Sequence, residues 1–170
     1  MNSDKKLTTE PPAGTWIDYD TGLMWQNPTE MGFIGGTWDE ENSYCENLVL
    51  AQYSNWRLPS ISELRSIVRG CKSSETNGTC GVNDDCLKME CRTDECNGCE
   101  PKPDEKYYWP DELEGNPYTI NGHWSVSQVG DDDKNAWIMI FYSASIQLED
   151  KDNILDEGLT TRCVRTMTTE

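Results

Sequence analysis

One histidine, two phenylalanines and a shortage of positive charge set the first limits on this chain. Any Ser-His-Asp or Cys-His relay would have to run through His123, and no Gly-x-Ser-x-Gly elbow accompanies it. Between Gly122 and Trp124, His123 reads as the start of a strand rather than a catalytic base. Lys and Arg number 14 against 31 Asp and Glu, a net charge of −17. The deficit is spread: −5 over residues 1–70, −7 over 71–120, −6 over 121–160, and +1 in the last ten. No basic patch survives that distribution, which excludes nucleic acid, anionic lipid and sulfated polysaccharide as electrostatically driven partners. The plain reading of the acidity is solubility. No apolar run is long enough to span a bilayer, so direct membrane insertion is not expected. No internal repeat is present.

What the chain does have is aromatic bulk and cysteine. The apolar fraction is only 35%, but seven Trp and seven Tyr bury large areas per residue, and 170 residues suffice for one domain with a core. The polar opening from Met1 to Pro12 carries no signal segment. It reads as a linker over residues 1–13, and the expectation is a mature or trimmed chain whose export signal has been removed. Eight cysteines exceed what a reduced cytosolic chain of this size normally holds, and the even count fits four disulfides.

Six of them, Cys71, Cys80, Cys86, Cys91, Cys96 and Cys99, fall in one stretch without periodicity. That stretch is dense in Gly, Asn, Asp, Glu and Pro, so cross-links rather than burial must organise it. Structural disulfides are the expected reading. The alternatives are a zinc site, with Cys86, Cys91, Cys96 and Cys99 around the ion, and a redox-active Cys96-Asn-Gly-Cys99. One CxxC without a second at zinc-ribbon distance is a weak metal signal. The redox motif wants a strand before it and a helix after it, whereas Asn97-Gly98 reads as loop.

Elsewhere the patterns are regular. Thr15–Asp20 and Leu23–Gln26, hinged at Thr21-Gly22, predict a β-hairpin. Thr37 with Glu40, and Ser60 with Glu63, are capping boxes that open two helices. Tyr44, Cys45 and Leu48 give the first a buried face. Ile61, Leu64, Ile67 and Val68 give the second its stripe, with Gly70 as its stop. Strands return at Trp124–Gln128, Ala136–Tyr142, Ile146–Glu149 and Thr160–Arg165, separated by acidic turns, predicting a late antiparallel sheet and an α+β class. The domain is placed at 14–166, with a cysteine-rich insert at 70–118 and a tail at 167–170.

Several local frames occur in a telling order: Thr21-Gly-Leu-Met-Trp-Gln26, Trp38 to Cys45, Trp56-Arg-Leu-Pro59 with Glu63-Leu64, Trp124-Ser125, Ala136-Trp137, Phe141, and Arg162-Cys-Val-Arg165. From Gly14 to Arg165 the chain resembles the C-terminal domain family of the Legionella collagen-like protein, which is in turn similar to the C-type lectin-like fold. The resemblance implies two helices packed on a twisted antiparallel sheet, with the disulfide-rich stretch as an insertion. It implies a Cys45–Cys163 bridge, since both belong to the family frame, and pairing of the six insert cysteines among themselves. Such a clasp would close nearly the whole domain, worth about 4–5 kcal/mol in the chain-entropy view. The resemblance also implies a surface-binding role and an oligomeric, trimeric presentation on a stalk. Sulfated glycosaminoglycans are associated with the family's named member, but the acidity here argues against carrying that ligand over.

In C-type lectin-like folds the long loops and late strands present the ligand face. That resemblance makes Tyr107, Tyr108, Trp109, Ser125, Ser127, Gln128, Asn135, Tyr142, Ser145 and Gln147 the candidate ligand-binding residues. Trp109, Trp124, Trp137, Tyr107, Tyr108, Tyr118 and Tyr142 could form an aromatic platform, whereas Trp25, Trp38, Trp56 and Trp137 are expected in the core. Asp131, Asp132, Asp133, Asp150 and Asp152, with Asp156 and Glu157 nearby, are hard-oxygen candidates for calcium, the one cofactor left open. They lack the EF-hand glycine and spaced Glu, and no Glu-Pro-Asn, Gln-Pro-Asp or Trp-Asn-Asp lectin motif occurs, so solvated turns are the alternative. The expected function is a secreted or cell-surface, non-enzymatic binding module for a neutral glycan or a protein. The other classes are a structural subunit of a surface or filamentous assembly, and a carboxylate-based hydrolase.

Overall fold

The first hairpin turns at Gly22, whose φ of +71° only glycine adopts without cost. In the computed structural model, which describes residues 10–27, 35–103, 107–114, 122–153 and 159–167, β1 (Thr15–Asp18) pairs antiparallel with β2 (Leu23–Gln26), Trp16 opposite Trp25. Tyr118, Asp156, Glu157, the tail beyond Met167 and most of the 1–13 linker lie outside the described residues. Both capping boxes form. Thr37 and Glu40 cap α1 (Trp38–Asn47), and Ser60 and Glu63 cap α2 (Ile61–Ser66). Glu63 also grips the Arg57 guanidinium through two contacts of 2.6 and 2.7 Å.

α2 ends four residues before Gly70. The Arg69 amide donates to the Tyr108 carbonyl at 2.9 Å, so the chain leaves the helical path while Ile67 and Val68 stay buried. The strands β3 (His123–Gln128), β4 (Asn135–Ile140) and β5 (Ser145–Asp150) form an antiparallel sheet in that order. The expected fourth member of this sheet departs from it. β6 (Val164–Thr166) instead joins β2, giving a second sheet ordered β1-β2-β6, and Thr160 keeps only one parallel bridge to His123. The Gln26 amide reaches the Cys163 carbonyl at 2.9 Å, and Arg57 and Val164 exchange two backbone bonds. The first bond ties the last strand to the amino-terminal hairpin, and the Arg57 pair ties it to the segment before α2.

Period-two alternation on β4 sends its side chains into two cores. Trp137 and Met139 join α2 and the insert in one; Ala136 and Ile138 join Trp56, Leu58, Trp124 and the Cys45–Cys163 bridge in the other. The late sheet is thus covered on both faces. Trp25, Trp56 and Trp137 are buried as expected, and Trp38 is half-buried against the second core.

All eight cysteines are bridged: Cys45–Cys163, Cys71–Cys99, Cys80–Cys96 and Cys86–Cys91. The three insert bridges are nested, each inside the last. Arg65, 3% exposed, enters this stretch from α2 and donates to the carbonyls of Ser74, Glu75, Gly78, Cys80 and Val82. The insert packs onto the late sheet through Trp137 Nε1 to the Leu87 carbonyl at 2.9 Å and Arg92 to Ile146 and Gln147. At Gly98 (φ +79°) the backbone lies so close to Ser143 and Ala144 that a Cβ has no room. It is part of the core, contributing Val82, Tyr108, Trp109 and Leu113.

Candidate functional site

At one end of the late sheet, β3 finishes at Gln128, β4 begins at Asn135 and β5 runs out at Asp150, so three chain ends meet. The Trp38 indole stands beside them because its Nε1 donates to the Ser125 carbonyl at 2.8 Å and its amide to the Lys151 carbonyl at 3.0 Å. The Lys151 ammonium lies 5.5 Å from the centre of the Trp38 ring and donates to Gln128 Oε1 at 3.0 Å. Asn135 donates to Asp132 Oδ2 at 2.6 Å, and with the Lys134 amide this bond holds the Asp132 carboxyl below its usual range. The rim therefore combines an aromatic face, two amides, one ammonium and a carboxylate, the set that stacks on and hydrogen-bonds to a sugar ring.

Of the ten candidate residues, Gln128 and Asn135 belong to this rim. Tyr107, Tyr142 and Gln147 are half-buried elsewhere, Gln147 held by Arg92. Five others are inside. Ser125 fills the irregularity in β3, its hydroxyl donating to the Trp137 carbonyl at 2.6 Å, and Ser127 accepts from the Ile61 amide at the start of α2. Ser145, Tyr108 and Trp109 are also buried. Hydroxyls committed to the backbone in this way are out of reach of a surface ligand. Trp124, from the aromatic platform, is fully buried and donates to Gly36. Reasoning from sequence missed Trp38 and Lys151, having assigned Trp38 to the core.

The calcium candidates gather at the same end but cap turns. Asp131 accepts from the Met89 amide, Asp132 from Lys134 and Asn135, and Asp150 from the Asp152 amide. Among the described residues no three His, Cys, Asp or Glu side chains converge as a metal site. Three other titratable groups are strongly perturbed: Glu41, His123 and Arg162, the last lowered to about 10 by burial. Burial pushes Glu41 up to about 7, with one oxygen accepting from Gly36 and the other without a partner among the described residues.

The model of the Lcl C-terminal domain family matches residues 14–165. The chain belongs to that family. No curated protein and no solved structure matches it. Within this Lcl C-terminal domain, His123 packs edge-on against Trp109 and Phe141, with ring centres 5.8 and 5.2 Å away. Its Nδ1 has no partner among the described residues, and burial together with the Arg162 charge lowers its pKa to about 3. In the unfolded chain it takes a proton near pH 6.5, in the folded one only near 3. Its contribution to stability is therefore complete above 6.5 and lost as pH falls toward 3. We expect the stability difference between His123→Phe and the unsubstituted Lcl C-terminal domain to move by ~3 kcal/mol in the variant's favour from pH 7 to pH 4. Urea unfolding at the two pH values measures it, and a pH-independent difference would refute the assignment.

Proposed function

We infer that this domain is a secreted or cell-surface, non-enzymatic binding module of C-type lectin-like architecture, whose ligand is a neutral glycan, with a protein surface as the other ligand class. The observation that carries the reading is the rim of Trp38, Gln128, Asn135 and Lys151, where an indole face stands among amide and ammonium donors. Two further observations support it. Four disulfides fit an oxidising compartment. The lone histidine is buried and held neutral, and its Nδ1 has no partner among the described residues, which supports a non-catalytic role for it. No helix among the described residues is long and apolar enough to cross a membrane.

A glycan array run with and without calcium tests the reading. Neutral sugars should bind, and Gln128→Ala and Lys151→Ala should each weaken them about tenfold through loss of a ligand hydrogen bond. An array empty of neutral glycans, or binding indifferent to both substitutions, would remove the rim as the site. Heparin should not bind in EDTA at low salt, where repulsion is least screened. Arg57 is paired with Glu63, Arg65 is buried under carbonyls, and Arg69 donates to Ser66 and Val68, so these three arginines form no open basic patch. Tight, salt-sensitive heparin binding would overturn that expectation.

A further inference from the structure

β1 is an edge strand, with β2 on one side and no strand on the other among the described residues. In the β1–β2 ladder the Asn27 amide donates to the Gly14 carbonyl, so residues 14, 16 and 18 aim their backbone groups at β2. Thr15 and Ile17 aim theirs the other way. The Thr15 amide is taken by the Pro12 carbonyl, which leaves the Thr15 carbonyl and both backbone groups of Ile17 facing outward. These three groups have no backbone partner among the described residues, and such a row is what an added strand pairs with.

A groove of about 830 Å³ is lined by this strand together with Pro11, Pro12, Pro110 and Glu112. Asp18 lines it at 5% exposure. Its Oδ1 caps the hairpin turn through the Asp20 amide, while its Oδ2 is buried without a hydrogen-bond partner among the described residues. A buried carboxylate oxygen without a donor is costly in isolation, and its cost is removed by an incoming ammonium or guanidinium. Glu10, Asp20 and Glu112 add negative charge to the groove, against Arg69, whose guanidinium is already donating to backbone carbonyls.

We propose that this groove takes an extended, Lys- or Arg-bearing segment of a partner protein, which adds to the sheet as a strand beside β1 and places one cation on Asp18. A second copy of this chain is the disfavoured occupant, since its net charge of −17 would bring acid against acid. Ile17 then gains a backbone partner and Asp18 a donor in a single event. The site is separate from the Trp38 rim, so either can fail without the other.

The test uses the whole 170-residue chain and three synthetic decapeptides: alternating Thr and Lys, the same with Glu for Lys, and the Lys peptide with two central prolines. Calorimetry at low salt should show binding of the first alone. Asp18→Asn, which keeps the turn-capping oxygen, should weaken it about tenfold through loss of the charge-assisted bond. The Ile17 amide should become protected from exchange only with that peptide present. Equal binding of the Pro-interrupted peptide would mean that charge alone acts and would overturn strand addition. Binding unchanged in Asp18→Asn would overturn the role of Asp18. Concentration-dependent dimerisation that protects Ile17 without peptide would assign the edge to a second copy and sink the proposal.

Discussion

Replacing Arg65 with alanine is expected to remove about 4 kcal/mol of stability, because it strips donors from three buried and two half-buried carbonyls at once. All five N–H groups of the guanidinium are used, at 2.6 to 3.3 Å, on Ser74, Glu75, Gly78, Cys80 and Val82. The stretch they gather contains neither helix nor strand, so these carbonyls have no ladder to fall back on. Each orphaned group costs roughly 1–3 kcal/mol, and entry of water into the vacated space recovers part of that sum. Burial lowers the Arg65 pKa, yet a guanidinium keeps its proton at every pH of interest. Arg65→Lys should restore less than half of the loss, since three donors on a point charge cannot span five acceptors. Urea unfolding gives the magnitude. Amide exchange over residues 74–82 locates it, and a loss under about 1 kcal/mol would show that the disulfides alone shape the insert.

Opening the Cys45–Cys163 bridge should cost about 5 kcal/mol, against about 2 kcal/mol for Cys86–Cys91, because the loops they close differ so much in length. The sequence separations are 118 and 5 residues. The long bridge ties α1 to the residue before β6 and lies fully buried in the second core, so its loss also leaves a cavity there. Double Cys→Ala variants of each pair, unfolded in urea, make the comparison. Equal costs for the two would mean that local strain, rather than the entropy of the unfolded chain, governs these cross-links.

The helix starts were legible because a capping box is a local device: Thr37 with Glu40 and Ser60 with Glu63 need nothing beyond three residues. The end of α2 was not legible, since it depends on Tyr108, far along the chain, offering its carbonyl to Arg69. The rim shows the same division. Gln128 and Asn135 were among the candidates because the family resemblance points to the late strands and their loops. Trp38 and Lys151 reach the site only through bonds to Ser125 and Gln128 across the fold. Ser125 and Ser127 were candidates on the same resemblance, which cannot show that α2 and the irregularity in β3 claim their hydroxyls.

From the sequence by itself came the family, the α+β class, the Cys45–Cys163 clasp, the closed set of insert cysteines and the want of positive charge. The class and the charge rest on composition and local patterns, and the cysteine pairing on the family resemblance that the motifs carry. Tertiary structure alone decided that the strands divide into two sheets, that the insert completes a core around Arg65, and that β1 keeps an open acidic edge. The reason is physical. Strand partners, carbonyl acceptors and groove walls are supplied by segments distant in sequence, and a backbone bond carries no mark of its partner in the residues that make it.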